Sequence, residues 1–228
     1  MTFFCLLNGV HFTRTPSPED LEKIRKLEEQ LSIDQLLEDL PAIFEESEKG
    51  FERISTIISS MRNFSFRHAI DQRVPFDINK GIRDTLIIAR NEYRYHAEIE
   101  TDLRELPHVP CNPEQINQVF LNLIINSAHA IASQKRAEKG KITISTTCSD
   151  NIVTCTIADD GPGIPSETRR RIFEPFFTTK EPGKGTGLGL SISYDIITHK
   201  HGGKFFVSCP PSGGSAFTLT LPLNARKA

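Results

Sequence analysis

The first third of the chain has the spacing of apolar residues that is typical of helices. Residues 17–20 combine a capping serine, a proline and two acids, which is a common helix start. Farther along, large apolar residues recur at helical spacing, at Phe44, Phe51, Ile54, Ile58 and Met61. This stripe predicts a helix that packs against an antiparallel partner or in a dimer, although an amphipathic helix lying on an adjoining domain has the same spacing.

The pattern changes in the remaining two thirds of the chain, where helices and strands mix. Helices are predicted for residues 79–93, 113–134 and 188–199, a loop for 107–111, and a Gly- and Pro-rich segment for 160–187. Strands are predicted, from β-branched or alternating residues, at 74–78, 98–103, 141–148, 152–158, 204–208 and 216–221. Because strict βαβ alternation is lacking, we expect an α+β fold with helices on one face of a mixed sheet.

Composition and charge exclude several classes of protein. Of the 228 residues, 38% are hydrophobic and 25% are charged, which is typical of a globular chain with a substantial core. The net charge of −2 provides no field for holding a nucleic acid, so we expect none as a partner. The apolar stretch at residues 3–7 is far shorter than the roughly 20 residues that cross a bilayer. We expect no membrane segment here, although a longer parent could be membrane-anchored.

The cysteines add a prediction about the compartment. They number five, they are widely separated, and no two form a Cys-x-x-Cys pair. This spacing argues against a disulfide framework and against a structural zinc site. A reducing compartment fits best, so we expect the chain to be cytoplasmic.

Two asparagines interrupt the apolar helix predicted for 113–134. Asn122 and Asn126 are four residues apart and therefore lie on one helical face, one turn from each other. The residues around them are leucine and isoleucine, which indicates that the helix is buried at this point. A carboxamide oxygen is a suitable ligand for Mg²⁺, although two hydrogen-bonded polar residues near a helix end would look the same.

A second cluster, Asp159-Asp160-Gly161-Pro162-Gly163-Ile164, directly follows a predicted strand. An acid at a strand end followed by glycines places a carboxylate where backbone can closely approach a ligand. Such a carboxylate can accept a hydrogen bond from the exocyclic amine of adenine. Taken alone, a plain Asp-Gly turn explains the cluster better.

A third cluster, residues 185–191, reads Gly-Thr-Gly-Leu-Gly-Leu-Ser and leads into a helix. Small residues there leave backbone N–H groups free to meet phosphate, although a flexible loop that merely caps the helix is the alternative. Neither the dinucleotide-binding nor the Walker spacing of glycines is present. Between the second and third clusters, residues 172–180 form an aromatic segment ending in a lysine, either a nucleotide lid or a loop packed on the core.

In their order and spacing, these clusters resemble the four boxes, called N, G1, F and G2, of sensor histidine kinases. Those kinases belong to the GHKL ATPase superfamily, which also includes DNA gyrase and the mismatch-repair ATPases. The resemblance covers residues 74–222 and implies the two-layer α/β sandwich of the Bergerat type, preceded by a helical segment. The matching residues are Asn122 and Asn126, Asp159-x-Gly161-x-Gly163, Phe173-Glu174-Pro175-Phe176, and Gly185-x-Gly187-Leu188-Gly189.

The resemblance implies that these boxes bind ATP and Mg²⁺. Asn126 would hold the metal that bridges the phosphates, Asn122 would assist it, and Asp159 would receive the adenine amine. Lys180 would join the two asparagines in catalysis from a mobile lid, and the third cluster would cradle the phosphates. The other residues that the resemblance assigns to the nucleotide are Gly161, Gly163, Ile164, Phe173, Thr178, Thr179, Lys184, Gly185, Thr186, Gly187, Leu188 and Gly189.

Two positions depart from relatives in the superfamily. His129 stands where many relatives carry a basic residue that faces the phosphates. Asn122 occupies the position where gyrase-like hydrolases carry the glutamate that activates water. Because a carboxamide cannot act as a general base, the resemblance favours phosphoryl transfer over hydrolysis of ATP.

A phosphoacceptor histidine, normally followed by an acid and a proline, is not recognisable. None of the seven histidines of the chain has that context. Residues 36–65 resemble the second helix of the dimerisation hairpin, while the first helix is cut away or replaced by residues 1–16. We therefore divide the chain into a leader (1–16), a helical segment (17–72) and an ATP-binding catalytic domain (73–228). Without its partner helix, the apolar stripe is expected to drive self-association.

The leading hypothesis is a catalytic region that transfers the γ-phosphoryl group of ATP to a histidine, in trans. Its partners would be a response regulator or a histidine-bearing kinase, and the intact parent would be a homodimer. A second hypothesis is a catalytically silent nucleotide-binding adaptor that acts through its helical segment. A third is a protein-serine kinase of the anti-sigma type, against which the dimerisation-helix resemblance argues.

Overall fold

The computed structural model describes residues 17–31, 39–44, 46–47, 50, 73–180, 185–211 and 213–224. The chain separates into two compact units, Met1–Thr56 and Ile57–Ala228. The predicted boundaries at residues 16 and 72 stay predictions.

Helix α1 (Pro18–Leu31) begins in the first unit, where the sequence predicts a helix start. The Ser17 hydroxyl accepts a hydrogen bond from the backbone N–H of Asp20 at 3.2 Å, and the Asp20 carboxylate accepts from the Ser17 N–H at 3.0 Å. This reciprocal pair is a capping box, which satisfies N–H groups that a helix start leaves open.

Only one residue of the predicted apolar stripe is described. Residues 39–44 are helical, and Phe44 is 68% exposed. The other members of the stripe (Phe51, Ile54, Ile58 and Met61) lie outside the described residues. The predicted packing and self-association of this stripe therefore stay predictions.

The second unit is built on a five-stranded mixed sheet with the strand order β2-β4-β5-β7-β6. The β2–β4 pair is parallel, and the other three pairs are antiparallel. The strands are β2 (Ala97–Leu103), β4 (Gly140–Ser149), β5 (Ile152–Asp159), β6 (Lys204–Ser208) and β7 (Ser215–Pro222). All five coincide with predicted strands.

A separate two-stranded sheet corrects one prediction. β1 (Val74–Phe76) pairs antiparallel with β3 (Val109–Cys111), so the last three residues of the predicted loop at 107–111 are a strand. The prediction was wrong because a three-residue strand that contains a proline has little local signal. Its partner is distant in sequence, and both Val109 and Cys111 are buried by the fold.

Five helical elements accompany the sheet in the described part of this unit: α2 (Ile78–Ile88), α3 (Arg90–Tyr93), α4 (Pro113–Ser133), α5 (Ser166–Arg169) and α6 (Gly189–Tyr194), which continues as a π-helix over Asp195–Lys200. The helix predicted for 79–93 is therefore interrupted at Ala89. Helix α4 begins where Asn112 caps it by accepting from the Gln115 N–H at 3.2 Å.

The core lies between the sheet and the helices. Burial alternates along β4, β5 and β7, which indicates that one face of the sheet is covered. The covering residues include Phe120, Leu123 and Ile124 of α4, which are fully buried in the same cluster as the sheet residues Ile144 and Ile157. Helix α4 is therefore the element that fixes side chains relative to the sheet. Among the described helices, none has the length and apolar content to cross a membrane.

Candidate functional site

The two asparagines of α4 have different environments. The Asn122 side-chain N–H donates to the Gly189 carbonyl at 3.2 Å and to the Ser193 hydroxyl at 3.4 Å, which ties α4 to the start of α6. Asn126, one turn later, is half-buried, and its carboxamide has no hydrogen-bond partner among the described residues. Asn122 therefore connects α4 to α6, while the oxygen and the N–H groups of the Asn126 side chain stay available.

The carboxylate of Asp159 is held in one orientation at the end of β5. It is 7% exposed, and its Oδ2 accepts from the hydroxyls of Ser127 at 3.2 Å and Ser215 at 2.7 Å. Its Oδ1 accepts from the backbone N–H of Gly161 at 3.0 Å. Sequence reasoning missed both serines. Ser127 could have been found because it directly follows Asn126, but Ser215 has no local signal that connects it to Asp159.

Atoms pack so closely around Asp159 that several positions there have no room for a side chain. A Cβ on Gly161 would lie 2.8 Å from Asp159 Oδ1 and 3.2 Å from the Ala130 Cβ. Gly163 has φ of +75°, a conformation that favours glycine. Gly214, which the sequence analysis did not single out, also has positive φ, and a Cβ there would lie 1.9 Å from the Asp159 carbonyl oxygen.

The third cluster is joined to the aromatic segment. Gly187 has φ of +66°, its carbonyl accepts from the Phe176 N–H at 3.0 Å, and a Cβ there would lie 2.4 Å from the Phe176 carbonyl carbon. A Cβ on Gly185 would lie 3.0 Å from the Thr178 hydroxyl. The backbone of these two segments therefore meets with no room for a side chain between them.

The remaining predicted residues lie on or near these segments. Phe173 packs its ring against Tyr194 and Phe205, with centroids 5.3 Å apart in both pairs, and Leu188 is buried at the start of α6.

Ile164 is partly buried against the core, and Thr186 receives the Leu188 N–H at 3.4 Å. Thr179 is exposed, and Lys184 lies outside the described residues. Their predicted contacts with the nucleotide stay predictions.

Lys180 is brought to α4 by a histidine. Its ammonium lies 2.9 Å from His129 Nδ1, and His129 Nε2 lies 3.4 Å from a carboxylate oxygen of Glu92 on α3. Burial and the Lys180 charge lower the pKa of His129, and burial lowers the pKa of Lys180. His129 is three residues after Asn126, so this ammonium is held on the same side of α4.

One helix thus contacts all the other clusters. Through Ser127 it holds Asp159, through Asn122 it holds Gly189, and through His129 it holds Lys180. A carboxylate, an uncommitted carboxamide, glycine-rich backbone and a cation therefore surround one stretch of α4. This combination suits a ligand that carries both a hydrogen-bond donor and negative charge.

Comparison with known proteins identifies the arrangement. The profile described as Histidine kinase-, DNA gyrase B-, and HSP90-like ATPase matches residues 111–225, about half of the chain. The chain belongs to this family. The predicted family and fold are confirmed, and the domain described above is the ATP-binding catalytic domain of the sensor histidine kinase type.

The individual relatives are sensor kinases. The histidine-protein kinase AtoS of Escherichia coli (strain K12) is 36% identical over 181 residues, which are 77% of this chain and 28% of AtoS. The Acinetobacter baumannii histidine kinase AdeS superposes with a TM-score of 0.65 at 25% identity, covering 79% of this chain and 84% of AdeS. Histidine kinase ThkA, solved in complex with response regulator TrrA, gives 0.64 at 29% identity and covers 78% and 50%. The chain spans less than a third of the length of AtoS.

Proposed function

We propose that this chain binds ATP with Mg²⁺ and transfers the γ-phosphoryl group to a histidine of another chain. The observation that carries the proposal is the contact of α4 with Asp159, Gly189 and Lys180. These contacts bring a carboxylate for the base and groups for the phosphates to one side of a single helix. Phosphoryl transfer needs little more from a protein than positioning and charge neutralisation.

The adenine end of ATP is assigned to Asp159. Its carboxylate already accepts from Ser127, Ser215 and Gly161, so its orientation is set before a ligand arrives. A carboxylate has about four lone-pair sites, which leaves capacity for the exocyclic amine of adenine. The absence of a side chain at Gly161 gives the base room to approach.

The residues fit a magnesium ion held by a single protein ligand. The Asn126 carboxamide oxygen is a hard donor with no hydrogen-bond partner among the described residues. Magnesium typically takes one or two protein ligands and completes its shell with phosphate oxygens and water. When bound, the ion would neutralise charge on the phosphates. Asn126 and Lys180 then act on the same end of the nucleotide.

Transfer is favoured over hydrolysis because residue 122 is an asparagine, where gyrase-like hydrolases carry the glutamate that activates water. Asn122 has no basic group, and its N–H donors are engaged with Gly189 and Ser193. In the transfer step, an imidazole nitrogen of the acceptor forms a bond to the γ-phosphorus. The bond to the bridging oxygen breaks, ADP leaves, and the imidazole proton passes to solvent.

The acceptor is assigned to a partner chain. Of the described histidines, His201 is buried, with Nδ1 beside the Ile196 carbonyl and Nε2 accepting from the Asn112 N–H, and His129 lies between Lys180 and Glu92. Neither has a free nitrogen for attack. The other described histidines, His96, His108 and His199, lack the context of an acid and then a proline that normally follows a phosphoacceptor. ThkA forms a complex with a response regulator, which supports the same class of partner for the parent of this chain.

The four described cysteines are free thiols, which supports a cytoplasmic location.

The deciding experiment follows label from [γ-³²P]ATP with Mg²⁺, using this chain with and without a histidine-bearing dimerisation domain of a related sensor kinase. We expect acid-labile label on that domain only, and its loss in Asn126→Ala but not in the exposed control Asn91→Ala. Acid-labile label on this chain by itself would contradict transfer in trans. ATP binding without label on any acceptor would favour a silent adaptor.

A further inference from the structure

Three charged or titratable side chains from three segments form a line of contacts through His129, which is three residues after Asn126 on α4. Glu92 is on α3, His129 is on α4, and Lys180 is at the end of the aromatic segment. His129 is in the middle, 2.9 Å from the lysine ammonium through Nδ1 and 3.4 Å from the glutamate through Nε2. Both contacts join residues far apart in sequence, so the line exists only in the folded domain.

The two neighbours of His129 determine which of its ring nitrogens carries the proton. An ammonium group can only donate, so Nδ1 must be the acceptor nitrogen of a neutral imidazole. The remaining ring proton then lies on Nε2, which faces the carboxylate of Glu92. The glutamate therefore selects the tautomer that can receive the lysine.

We infer that Glu92 and His129 are positioning residues that hold the Lys180 ammonium beside Asn126, ready for the phosphates of ATP. This inference rests on the function proposed above. It also gives His129 a role that needs no contact with phosphate. The histidine supplies a hydrogen-bond acceptor for Lys180 rather than a positive charge. A long lysine side chain that is already oriented loses less conformational freedom when the nucleotide binds.

Protonation of the histidine would undo this arrangement. A protonated imidazole has no acceptor nitrogen, and it places a second cation against Lys180. The groups that face His129 are Glu92 on α3, Lys180 and His96 in the turn before β2; burial, Lys180 and His96 lower the pKa of the histidine, and Glu92 raises it. The neutral form is thus the one present at neutral pH, and the inference predicts weaker ATP binding on acidification.

A mutant cycle tests the inference by calorimetry with ATP·Mg²⁺ and with AMP, which lacks the outer phosphates. We expect His129→Ala and Lys180→Ala each to weaken ATP binding about tenfold and the double variant to weaken it no further, with AMP affinity unchanged. Glu92→Gln should give a smaller loss of about threefold, because it removes the charge that selects the tautomer. His199→Ala, an exposed histidine paired with Asp195, is the matched control and should bind as the wild type does.

The conservative variant His129→Gln separates positioning from mere structure. Its side-chain carbonyl can still accept from Lys180 but does not titrate, so it should recover most of the affinity and lose the additional decrease that the wild type shows at acidic pH. Comparing the two profiles cancels protonation of ATP itself. Equal ATP affinity in His129→Ala, or additive losses in the double variant, would overturn the inference. A wild-type chain that does not bind ATP would instead refute the proposed function.

Discussion

Asn122 and Asn126 are the same residue type on the same face of α4, but only one of them is committed to the fold. Asn122 donates to Gly189 and Ser193, whereas the Asn126 carboxamide has no partner among the described residues. Residue type and spacing alone predict the same role for both. What separates them is the position of α6, which supplies hydrogen-bond partners to Asn122 and none to Asn126.

Asp159→Asn tests the base pocket. The hydroxyls of Ser127 and Ser215 can reverse and accept from an amide, so we expect the fold to persist. The lost acceptor for the adenine amine should weaken ATP binding by about 10- to 100-fold, since a hydrogen bond to a charged group contributes roughly 1.5–3 kcal/mol. Calorimetry measures the change, with Asp102→Asn, an exposed carboxylate, as the control. Equal affinity in Asp159→Asn and wild type would remove Asp159 from the site.

Gly187→Ala and Gly202→Ala form a matched pair. Both glycines have similar positive φ, +66° and +68°, so both variants carry the strain of about 1–2 kcal/mol for a non-glycine residue. Only at residue 187 would the new Cβ also collide with the Phe176 backbone; at residue 202 it has open space. We expect both to lose stability in urea unfolding, but only Gly187→Ala to lose ATP affinity.

If Gly202→Ala lost as much ATP affinity as Gly187→Ala, the contact with Phe176 would not matter for the site. If neither variant lost stability, the positive φ values would carry no cost. The comparison therefore separates conformational strain from the loss of a specific contact.

At the scale of elements, Asp160 connects the end of α4 to the start of β4. Its carboxylate receives the Lys141 N–H at 2.9 Å and forms an ion pair with Arg136, which follows α4. Partial burial raises the pKa of this carboxyl, but the Lys141 N–H and Arg136 together outweigh that effect and hold the pKa below its ordinary value. The charged carboxylate is therefore more stable in the folded domain than in the unfolded chain.

Asp160→Asn should remove an acid-dependent part of the stability. Because the folded pKa is lowered, the contribution is complete above the ordinary pKa of an aspartate, near pH 4, and is lost as the pH falls through the folded pKa. The carboxylate is 46% exposed, so solvent screening limits the contribution to about 1 kcal/mol or less. Urea unfolding between pH 3 and 7 should show a smaller acid-induced loss in the variant than in wild type. Parallel curves would contradict the assignment.

Strand β3 was missed because it has little local signal in the sequence. Its three residues precede α4, and their pairing with β1 depends on a strand more than thirty residues earlier. Local propensity cannot report such a pairing, because tertiary burial of Val109 and Cys111 decides it. In contrast, α4 was predicted from its run of apolar residues after Pro113, which is a local property.

At the scale of the whole molecule, the described core is confined to the second unit. Every buried hydrophobic residue in the described ranges lies between Ile78 and Leu221. Arg73, at the predicted domain boundary, donates to the Lys200 carbonyl after α6. The described core therefore lies entirely within the catalytic domain predicted for residues 73–228.

Residues 73–228 expressed alone should therefore fold and bind ATP with an affinity within about twofold of the full chain. Urea unfolding should be a single cooperative transition, as for most domains of this size. Calorimetry on both proteins makes the comparison. A folded fragment that binds ATP much more weakly would show that residues 1–72 contribute to the site, and an insoluble fragment would show that they contribute to folding.

The local chemistry of this protein can be predicted from short stretches of its sequence. The asparagine pair on an apolar helix, Asp159 at a strand end and the glycines of two loops follow from helical period, strand ends and backbone freedom. Each is a short-range property, readable from a few neighbouring residues. Their order along the chain was enough to indicate the family and the fold.

Which of these groups come into contact depends on the packing of the folded chain. Ser127 and Ser215 reach Asp159 across 32 and 56 residues, and His129 reaches Lys180 across 51. No local pattern encodes these contacts, because they depend on how α4 packs against the sheet and the loops. The same packing gives the Asn122 side chain two hydrogen-bond partners and leaves the Asn126 carboxamide without one among the described residues.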